Sequence, residues 1–161
     1  MEIRHYNDSD KDEILRLYQG FGQYFVEIDN LKRCIVAENY ASHFFDEMVK
    51  ETTEKKGQIW VAEGNQNKLV GFCAINIKDI TAENSVESVP HKKGRILELY
   101  VDKDYRGQGV GTKLMDTMLA YANESSCDVV NVEVFAPNKR AYDFYKKFGF
   151  FDRNYDLMKI F

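Results

Sequence analysis

The sequence predicts a mixed α/β fold in a single domain over residues 1–161, and three observations support this class. Short apolar runs of strand length alternate with longer segments whose apolar residues recur at helical spacing. A chain of 161 residues suits one domain with its own core. The sequence also contains no repeat, linker or low-complexity stretch that would divide it.

Composition and charge narrow the class of protein. The formal net charge is −4 and no basic block occurs, which argues against a nucleic-acid partner. Cys34, Cys73 and Cys127 are far apart and odd in number, which favours a reducing compartment over a disulfide framework. No apolar run is long enough to span a membrane and the N-terminus is too polar for a signal peptide, so we expect a cytoplasmic protein without membrane contact.

The first third of the chain predicts a strand and two helices. Residues 1–6 form the strand, and Asp8-Ser9-Asp10 supplies the cap of the first helix. Gly20 and Gly22 are expected to end that helix. A second helix is predicted over residues 37–52, because its aromatic residues fall on one face.

A hairpin follows. Its strands are residues 59–62 and 69–75, and a polar turn over residues 64–68 connects them. Residues 79–93 are polar and mixed, and predict either an exposed loop or a weak extension of the strand.

The stretch from Ile96 to Ala122 organises the rest of the chain. Residues 96–101 are too few for a helix and predict a buried strand, whereas apolar spacing beyond Gly109 predicts a helix. Glycines at 107, 109 and 111 stand where the strand becomes the helix, so backbone N–H groups there can approach a ligand closely. With the positive end of the helix dipole and the Arg106 guanidinium, they form an anion site suited to a pyrophosphate, unless the turn only packs the helix on the sheet.

The last part of the chain predicts a strand, a helix and a closing strand. Residues 129–135 alternate and are β-branched, and Pro137-Asn138 then opens a helix over residues 139–148 that Gly149 ends. Residues 150–161 are expected to form the closing strand or hairpin.

Two motifs in this order resemble the GNAT superfamily of acyl-CoA-dependent N-acetyltransferases. A P-loop signature does not occur, and a dinucleotide fingerprint would need glycine at Thr112. The GNAT pyrophosphate pattern is Arg or Gln, two residues, Gly, one residue, then Gly or Ala, and Arg106, Gly109 and Gly111 match it. The second motif, Asn, Ala, an apolar–Tyr pair and Gly-Phe, is matched within residues 138–150.

The resemblance covers nearly the whole chain and implies a fold and a cofactor site. The fold is a single GNAT-like domain with a central, mostly antiparallel mixed sheet, about four flanking helices and a splayed central strand pair. The resemblance implies acetyl-CoA as co-substrate and direct transfer in a ternary complex, without a covalent acetyl-enzyme. The cofactor-binding residues it implies are Leu99, Tyr100, Val101, Arg106, Gly107, Gln108, Gly109, Val110, Gly111, Thr112 and Asn138.

Two residues are candidates for catalysis. Tyr145 matches the family tyrosine that protonates the departing CoA thiolate, although its helical spacing also suits a core residue. Glu98 lies on the central strand and is a candidate general base, because an alkyl amine with a pKa near ~10.4 is almost fully protonated at neutral pH. An ordinary paired strand carboxylate is the alternative for Glu98. Asn138 has a similar alternative, as a helix cap in place of a contact to pantetheine.

Metal ligands and the acceptor complete the expectations. His5, His43 and His91 lack ligand spacing, so no metal is expected. The acceptor is a small-molecule or peptidyl amine, and the acidic and aromatic residues that the family places near it would suit a cationic amine, unless they are a solvated surface. These residues are Tyr24, Phe25, Glu27, Asp29, Glu83 and Glu87. A protein N-terminus as acceptor and a homodimer are left open, and a non-catalytic acyl-CoA-binding module is the alternative to an enzyme.

Overall fold

The computed structural model describes residues 1–160 and shows a five-stranded sheet between two layers of helices. The elements run in the order β1 (Glu2–His5), α1 (Lys11–Ile28), α2 (Tyr40–Glu54), β2 (Gln58–Glu63), β3 (Leu69–Ile80), β4 (His91–Val101), α3 (Val110–Glu124), β5 (Val129–Asn131) and α4 (Lys139–Lys147). Strand order follows chain order. The pairs are antiparallel from β1 to β4, and β5 joins β4 in parallel. The predicted mixed α/β fold with a mostly antiparallel sheet and four helices is confirmed.

Two hydrophobic clusters lie on opposite faces of the sheet. α1 and α2 pack on one face around Tyr18, Phe45 and Phe72, and we call this the α2 face. α3 and α4 cover the other face, which we call the α3 face, around Leu114 and Met118. Because side chains alternate along a strand, β3 contributes Phe72, Ala74 and Asn76 to the α2 face and the residues between them to the α3 face.

The prediction that Gly20 and Gly22 end the first helix is wrong, because α1 continues through both to Ile28. A Cβ on Gly20 would lie 2.7 Å from the Tyr100 hydroxyl, and one on Gly22 would lie 2.6 Å from the Tyr40 ring. These glycines therefore allow close packing of the helix against aromatic side chains, and these contacts override their helix-breaking tendency.

β3 and β4 form a longer ladder than the sequence predicted. They extend to Ile80 and back from His91, so residues 79–93 form a strand extension around an exposed loop. The ladder contains one irregularity, because Ala74 pairs with Glu98 while Ile75 pairs with Ile96. Leu97 is the extra residue of a β-bulge, which inverts the alternation of side chains beyond it.

Two predictions for the end of the chain are wrong. β5 stops at Asn131 and does not continue to residue 135, because the chain diverges from β4 after three paired residues. Residues 150–160 form no strand, since β5 offers only a short edge for another strand to pair with; Phe161 lies outside the described residues. The apolar side chains that this segment exposes are Phe151, Tyr155, Leu157, Met158 and Ile160.

Candidate functional site

The divergence of β4 from β5 opens the candidate site. β5 pairs with β4 only from Lys93 to Arg95, so the β5 side of β4 has no strand partner from Ile96 to Val101. A cavity of about 70 Å³ lies in this gap. It is lined by Phe21 and Phe25 of α1, residues 96–99 of β4, residues 132–135 beyond β5, and Asn138, Ala141 and Tyr145 of the last helix and its cap.

Glu98 and Tyr145 face this cavity from opposite layers. The Leu97 bulge places Glu98 toward α1 and α2, where Tyr18 and Glu47 are its electrostatic neighbours. Tyr145 belongs to the cluster on the α3 face, where its ring packs edge-on against Phe144 and Phe150. Only the gap between the strands lets both side chains reach one space.

The ionisation of both groups is strongly perturbed. Burial of its carboxyl raises the pKa of Glu98 to about 8, and a hydrogen-bonding interaction with Tyr18 opposes part of that rise. Burial raises the pKa of Tyr145 above its ordinary value, and the nearby Glu98 charge adds to the rise. Near neutral pH the carboxyl is therefore mostly protonated and the phenol is neutral, so Tyr145 can donate a hydrogen bond.

The loop before α3 presents free backbone donors. Gly107 and Gly109 have φ of +79° and +81°, a conformation that L side chains rarely adopt, and α3 begins directly after Gly109. Within residues 1–160, the backbone N–H groups of residues 107–112 donate to no protein acceptor. A Cβ on Gly107 or Gly109 would meet nothing within 4 Å, so the space beside the loop is open at both positions. Free N–H groups at a helix start form an anion site.

Arg106 lies beside this loop with its side chain turned toward aromatic rings. Its Nε donates to the Val101 carbonyl at 2.9 Å, and the guanidinium carbon lies 4.8 Å from the centre of the Tyr24 ring and 5.5 Å from that of Tyr100. Arg106 therefore connects the end of β4, the loop and α1. Its cation–π contacts with Tyr24 and Tyr100 could not be predicted from the spacing of these residues in the sequence. Gln108 likewise bonds within the loop, to the Asp104 carbonyl.

Asn138 caps α4 and joins it to α1. Its Oδ1 accepts the Ala141 N–H at 3.1 Å as the cap of α4, and it also accepts the Tyr24 hydroxyl at 3.1 Å. The residue lines the cavity as well. Its Nδ2 group donates to no acceptor within residues 1–160, so it is available to a ligand carbonyl.

Five of the residues expected near the acceptor fall into three groups. Phe25 lines the cavity, and its ring lies 5.6 Å from that of Phe135. Asp29 is buried and accepts backbone N–H groups of Cys34, Leu31 and Arg33, which lower its pKa to about 2, so its role is to hold the turn after α1. The other three carboxylates, Glu27, Glu83 and Glu87, are exposed.

Sequence reasoning missed two groups of residues at the site. Tyr18, Phe21 and Tyr40 follow the apolar spacing of α1 and α2, yet Tyr18 and Tyr40 interact with the charge of Glu98. Residues 132–134 line the cavity, although their alternation predicts ordinary strand. Neither role can be predicted from the sequence, because both depend on the position of the Leu97 bulge and on the point at which β5 diverges from β4.

Comparison with known proteins agrees with this geometry. The model of the Acetyltransferase (GNAT) family matches residues 15–150. An uncharacterized N-acetyltransferase of Methanocaldococcus jannaschii is 29% identical over 92% of this chain, which spans 59% of that protein's length. An N-alpha-acetyltransferase of Sulfolobus acidocaldarius is 30% identical over 83% of this chain and 76% of its own.

A solved structure shows the same fold. The tetramutant of a Bacillus halodurans protein aligns with a TM-score of 0.80 at 20% identity and covers all of both chains. No helix among residues 1–160 is long and apolar enough to cross a membrane. The matched family model, the diverging strands and the glycine loop agree, and the chain belongs to the GNAT family of acetyltransferases.

Proposed function

We propose that this protein transfers the acetyl group of acetyl-CoA directly to a primary amine within a ternary complex. One observation carries the proposal: a cavity lined by Glu98 and Tyr145 lies beside an unpaired stretch of β4, and a loop of free backbone N–H groups follows the end of that strand. A single extended cofactor can therefore occupy the loop with its phosphates and the cavity with its thioester.

The loop residues would bind the pyrophosphate. The free N–H groups of residues 107–112 supply several donors at the positive end of α3, and Gly107 and Gly109 leave the space that the phosphates need. Arg106 holds the loop against β4 through Val101 and adds positive charge.

The edge of β4 would bind the pantetheine arm. Leu99, Tyr100 and Val101 have no strand partner on this side, so an extended ligand can pair with their backbone groups as an added strand. The Asn138 Nδ2 group can donate to a pantetheine carbonyl. A backbone N–H near Leu99 is placed to polarise the thioester carbonyl, since Leu99 lines the cavity.

Glu98 would accept the proton of the attacking amine, directly or through one water. A base whose pKa is about 8 is closer to that of an alkyl ammonium than an ordinary carboxylate is, so proton transfer is less uphill. The cost is that about one carboxyl in ten is ionised at pH 7. The amine nitrogen forms its bond to the acetyl carbon as the bond from that carbon to sulfur breaks.

Tyr145 would stabilise the departing sulfur. Its phenol is neutral and faces the cavity, so it can donate a hydrogen bond to the thiolate of CoA. Because burial raises the phenol pKa further above that of a thiol, about 8.5, a hydrogen bond is favoured over complete proton transfer. The proton that leaves the amine can finally restore the thiol.

Thermal unfolding with and without saturating acetyl-CoA, followed by an assay of CoA release, tests the proposal. A ligand at about 100-fold over its dissociation constant adds roughly 2.7 kcal/mol, which raises the midpoint by several degrees. We expect such a rise, and CoA release that depends on an added amine. A rise without release from any amine would instead support a non-catalytic acyl-CoA-binding module, and no rise in a protein free of bound CoA would overturn both functions.

A further inference from the structure

A second cavity opens on the α2 face of the sheet, and we call it the cationic cavity. Its volume is about 230 Å³. The residues that line it are Lys55, Asn76, Lys78, Ile80, Lys93 and Arg95. Four of these six residues are cationic and none is acidic, although the formal net charge of the chain is −4.

Two of these cations face each other across the ladder. Lys78 of β3 is the direct cross-strand partner of Lys93 of β4, an arrangement of like charges that destabilises a sheet. Neither lysine has an ion-pair partner among the residues that the structure describes. On the opposite face, the adjacent cross-strand pair is Asp79 with Lys92, whose charged atoms lie 3.9 Å apart. Of these two adjacent cross-strand pairs, only Asp79 with Lys92 is neutralised.

The other two cations have acidic neighbours at the rim of the cavity. Lys55 lies 2.6 Å from Glu51, which also accepts a hydrogen bond from Asn76 at 2.8 Å. Arg95 lies 3.4 Å from Glu133. The uncompensated charge is therefore concentrated at the Lys78–Lys93 pair.

The cationic cavity adjoins the proposed acetyl-transfer site. Glu133, the partner of Arg95, lines the cavity that holds Glu98. The side chain of Glu98 also lies on the α2 face. Its cross-strand partner, Ala74, lies two residues before Asn76 on β3. Along that strand the acetyl-transfer site and the cationic cavity are separated by about 7 to 13 Å.

We propose that the acceptor is a primary amine carrying an anionic group, a carboxylate or a phosphate, which the Lys78–Lys93 pair and Arg95 bind while the amine lies at Glu98. This proposal rests on the proposed function and specifies its substrate class. An anion between Lys78 and Lys93 relieves their repulsion, and its distance from the amine selects acceptors of matching length. The cationic acceptor expected from the sequence has less support, because the Asp29 carboxylate accepts backbone N–H groups of Arg33 and Cys34 and so stabilises a turn.

Three amines of equal length test the charge preference: 6-aminohexanoate, 6-amino-1-hexanol and 1,6-diaminohexane. They differ only in an anionic, neutral or cationic far end. At low ionic strength we expect kcat/KM to be at least tenfold higher for the carboxylate than for the alcohol, mainly through KM. Equal values, or a preference for the diamine, would overturn the proposal and leave the transferase function intact.

Charge reversal separates binding from folding. Lys93→Glu places opposite charges across the ladder, so we expect the melting temperature to be unchanged or raised by about 1 to 3 °C while the preference for the carboxylate is lost. The double variant Lys78→Glu with Lys93→Glu should reverse the preference in favour of the diamine. A carboxylate preference that survives in both variants would refute the site.

Lys92→Glu is the matched control on the same strand. Lys92 adjoins Lys93 but contributes to the opposite face, where it pairs with Asp79. We expect this variant to melt at a lower temperature and to keep the acceptor preference of the native chain. A loss of preference equal to that of Lys93→Glu would show that only the overall charge of β3 and β4 matters, which contradicts a specific site.

Calorimetric titration of 6-aminohexanoate into CoA-saturated protein gives a readout independent of turnover. Bound CoA blocks the phosphate loop, so any anion-dependent binding reports on the cationic cavity. If 6-aminohexanoate binds the native protein and Lys93→Glu abolishes this binding, the proposal is supported even where no probe is acetylated. Absence of binding to the native protein would overturn it. Peptides beginning Ser-Glu-Glu and Ser-Gln-Gln, compared in the same assay, distinguish a peptidyl source of the anion from a small acid.

Discussion

The hydroxyl of Tyr24 donates a 3.1 Å hydrogen bond to Oδ1 of Asn138, and this bond joins α1 to the cap of α4 across the candidate site. The same Tyr24 ring lies under the guanidinium of Arg106. One tyrosine thus connects the helix that carries Phe21 and Phe25, the cap of the helix that carries Tyr145, and the phosphate loop.

Tyr24→Phe should weaken acetyl-CoA binding more than it weakens the fold. Removing the hydroxyl deletes one partly buried hydrogen bond, which costs about 1 kcal/mol of stability, and leaves the Asn138 side chain less restrained. We expect a several-fold rise in KM for acetyl-CoA with kcat little changed. Tyr142→Phe is the control, because the Tyr142 hydroxyl donates to the exposed Asp152; an equal rise in both variants would contradict the role of Tyr24.

Tyr145→Phe should lower kcat roughly 10²-fold and leave the dissociation constant of acetyl-CoA nearly unchanged. The ring stays packed between Phe144 and Phe150, so only the donor to the departing sulfur is lost. Steady-state kinetics and a direct binding titration measure the two quantities. An unaltered kcat would remove Tyr145 from the chemistry.

Glu98→Gln should alter the pH dependence of both activity and stability. In the native protein kcat/KM should rise as pH increases toward about 8, because the carboxyl ionises, and this rise should be absent in Glu98→Gln. Because the folded pKa is above the unfolded value of about 4.3, the folded state binds more protons between these values, and native stability falls as pH rises through that window.

The glutamine in Glu98→Gln does not ionise, so the stability of this variant does not fall as pH rises through that window. We therefore expect Glu98→Gln to be more stable than the native protein at pH 9, by on the order of 5 kcal/mol, and to show no gain at pH 4. Chemical denaturation at the two pH values measures the difference. A constant difference would mean that Glu98 ionises normally in the folded state.

Gly109→Trp should abolish acetyl-CoA binding by placing an indole in the phosphate site and by straining a residue with φ of +81°. Gly111→Ala is the matched control, since its Cβ would meet Phe144 and Val101 at 3.7 Å, an ordinary contact distance. We expect the control to bind acetyl-CoA and to be as stable as the native chain. Binding that persists in Gly109→Trp would refute the assignment of the loop.

Much of the fold could be predicted because its signals are local. The apolar spacing of α3, the polar turn between β2 and β3, and the glycines before α3 each depend on residues close in sequence. The order of Arg106, Gly109 and Gly111, followed by the motif around Asn138, also indicated the family that the comparisons confirm.

The rest depends on contacts between distant residues. Gly20 stays helical because Tyr100, eighty residues later, lies against it, and a local propensity for ending helices cannot show this. The pairing of Lys78 with Lys93 follows from the register of β3 and β4, and the early end of β5 follows from its divergence from β4. The raised pKa of Glu98 likewise arises from burial by α1 and α2.

The bulge at Leu97 makes the site sensitive to the pairing register of β3 and β4. Before the bulge, Lys93 and Arg95 contribute to the α2 face; beyond it, Glu98 and Tyr100 do so, although their numbers have the other parity. Without the bulge, the same residues in a regular ladder would pair Ala74 with Leu97 and Cys73 with Glu98, which would turn Glu98 toward α3. That ladder would retain both family motifs and every side chain, yet it would separate the carboxyl from the cationic cavity. Among relatives of this protein, loss of the bulge should therefore mark a change of acceptor more reliably than substitutions in the loop.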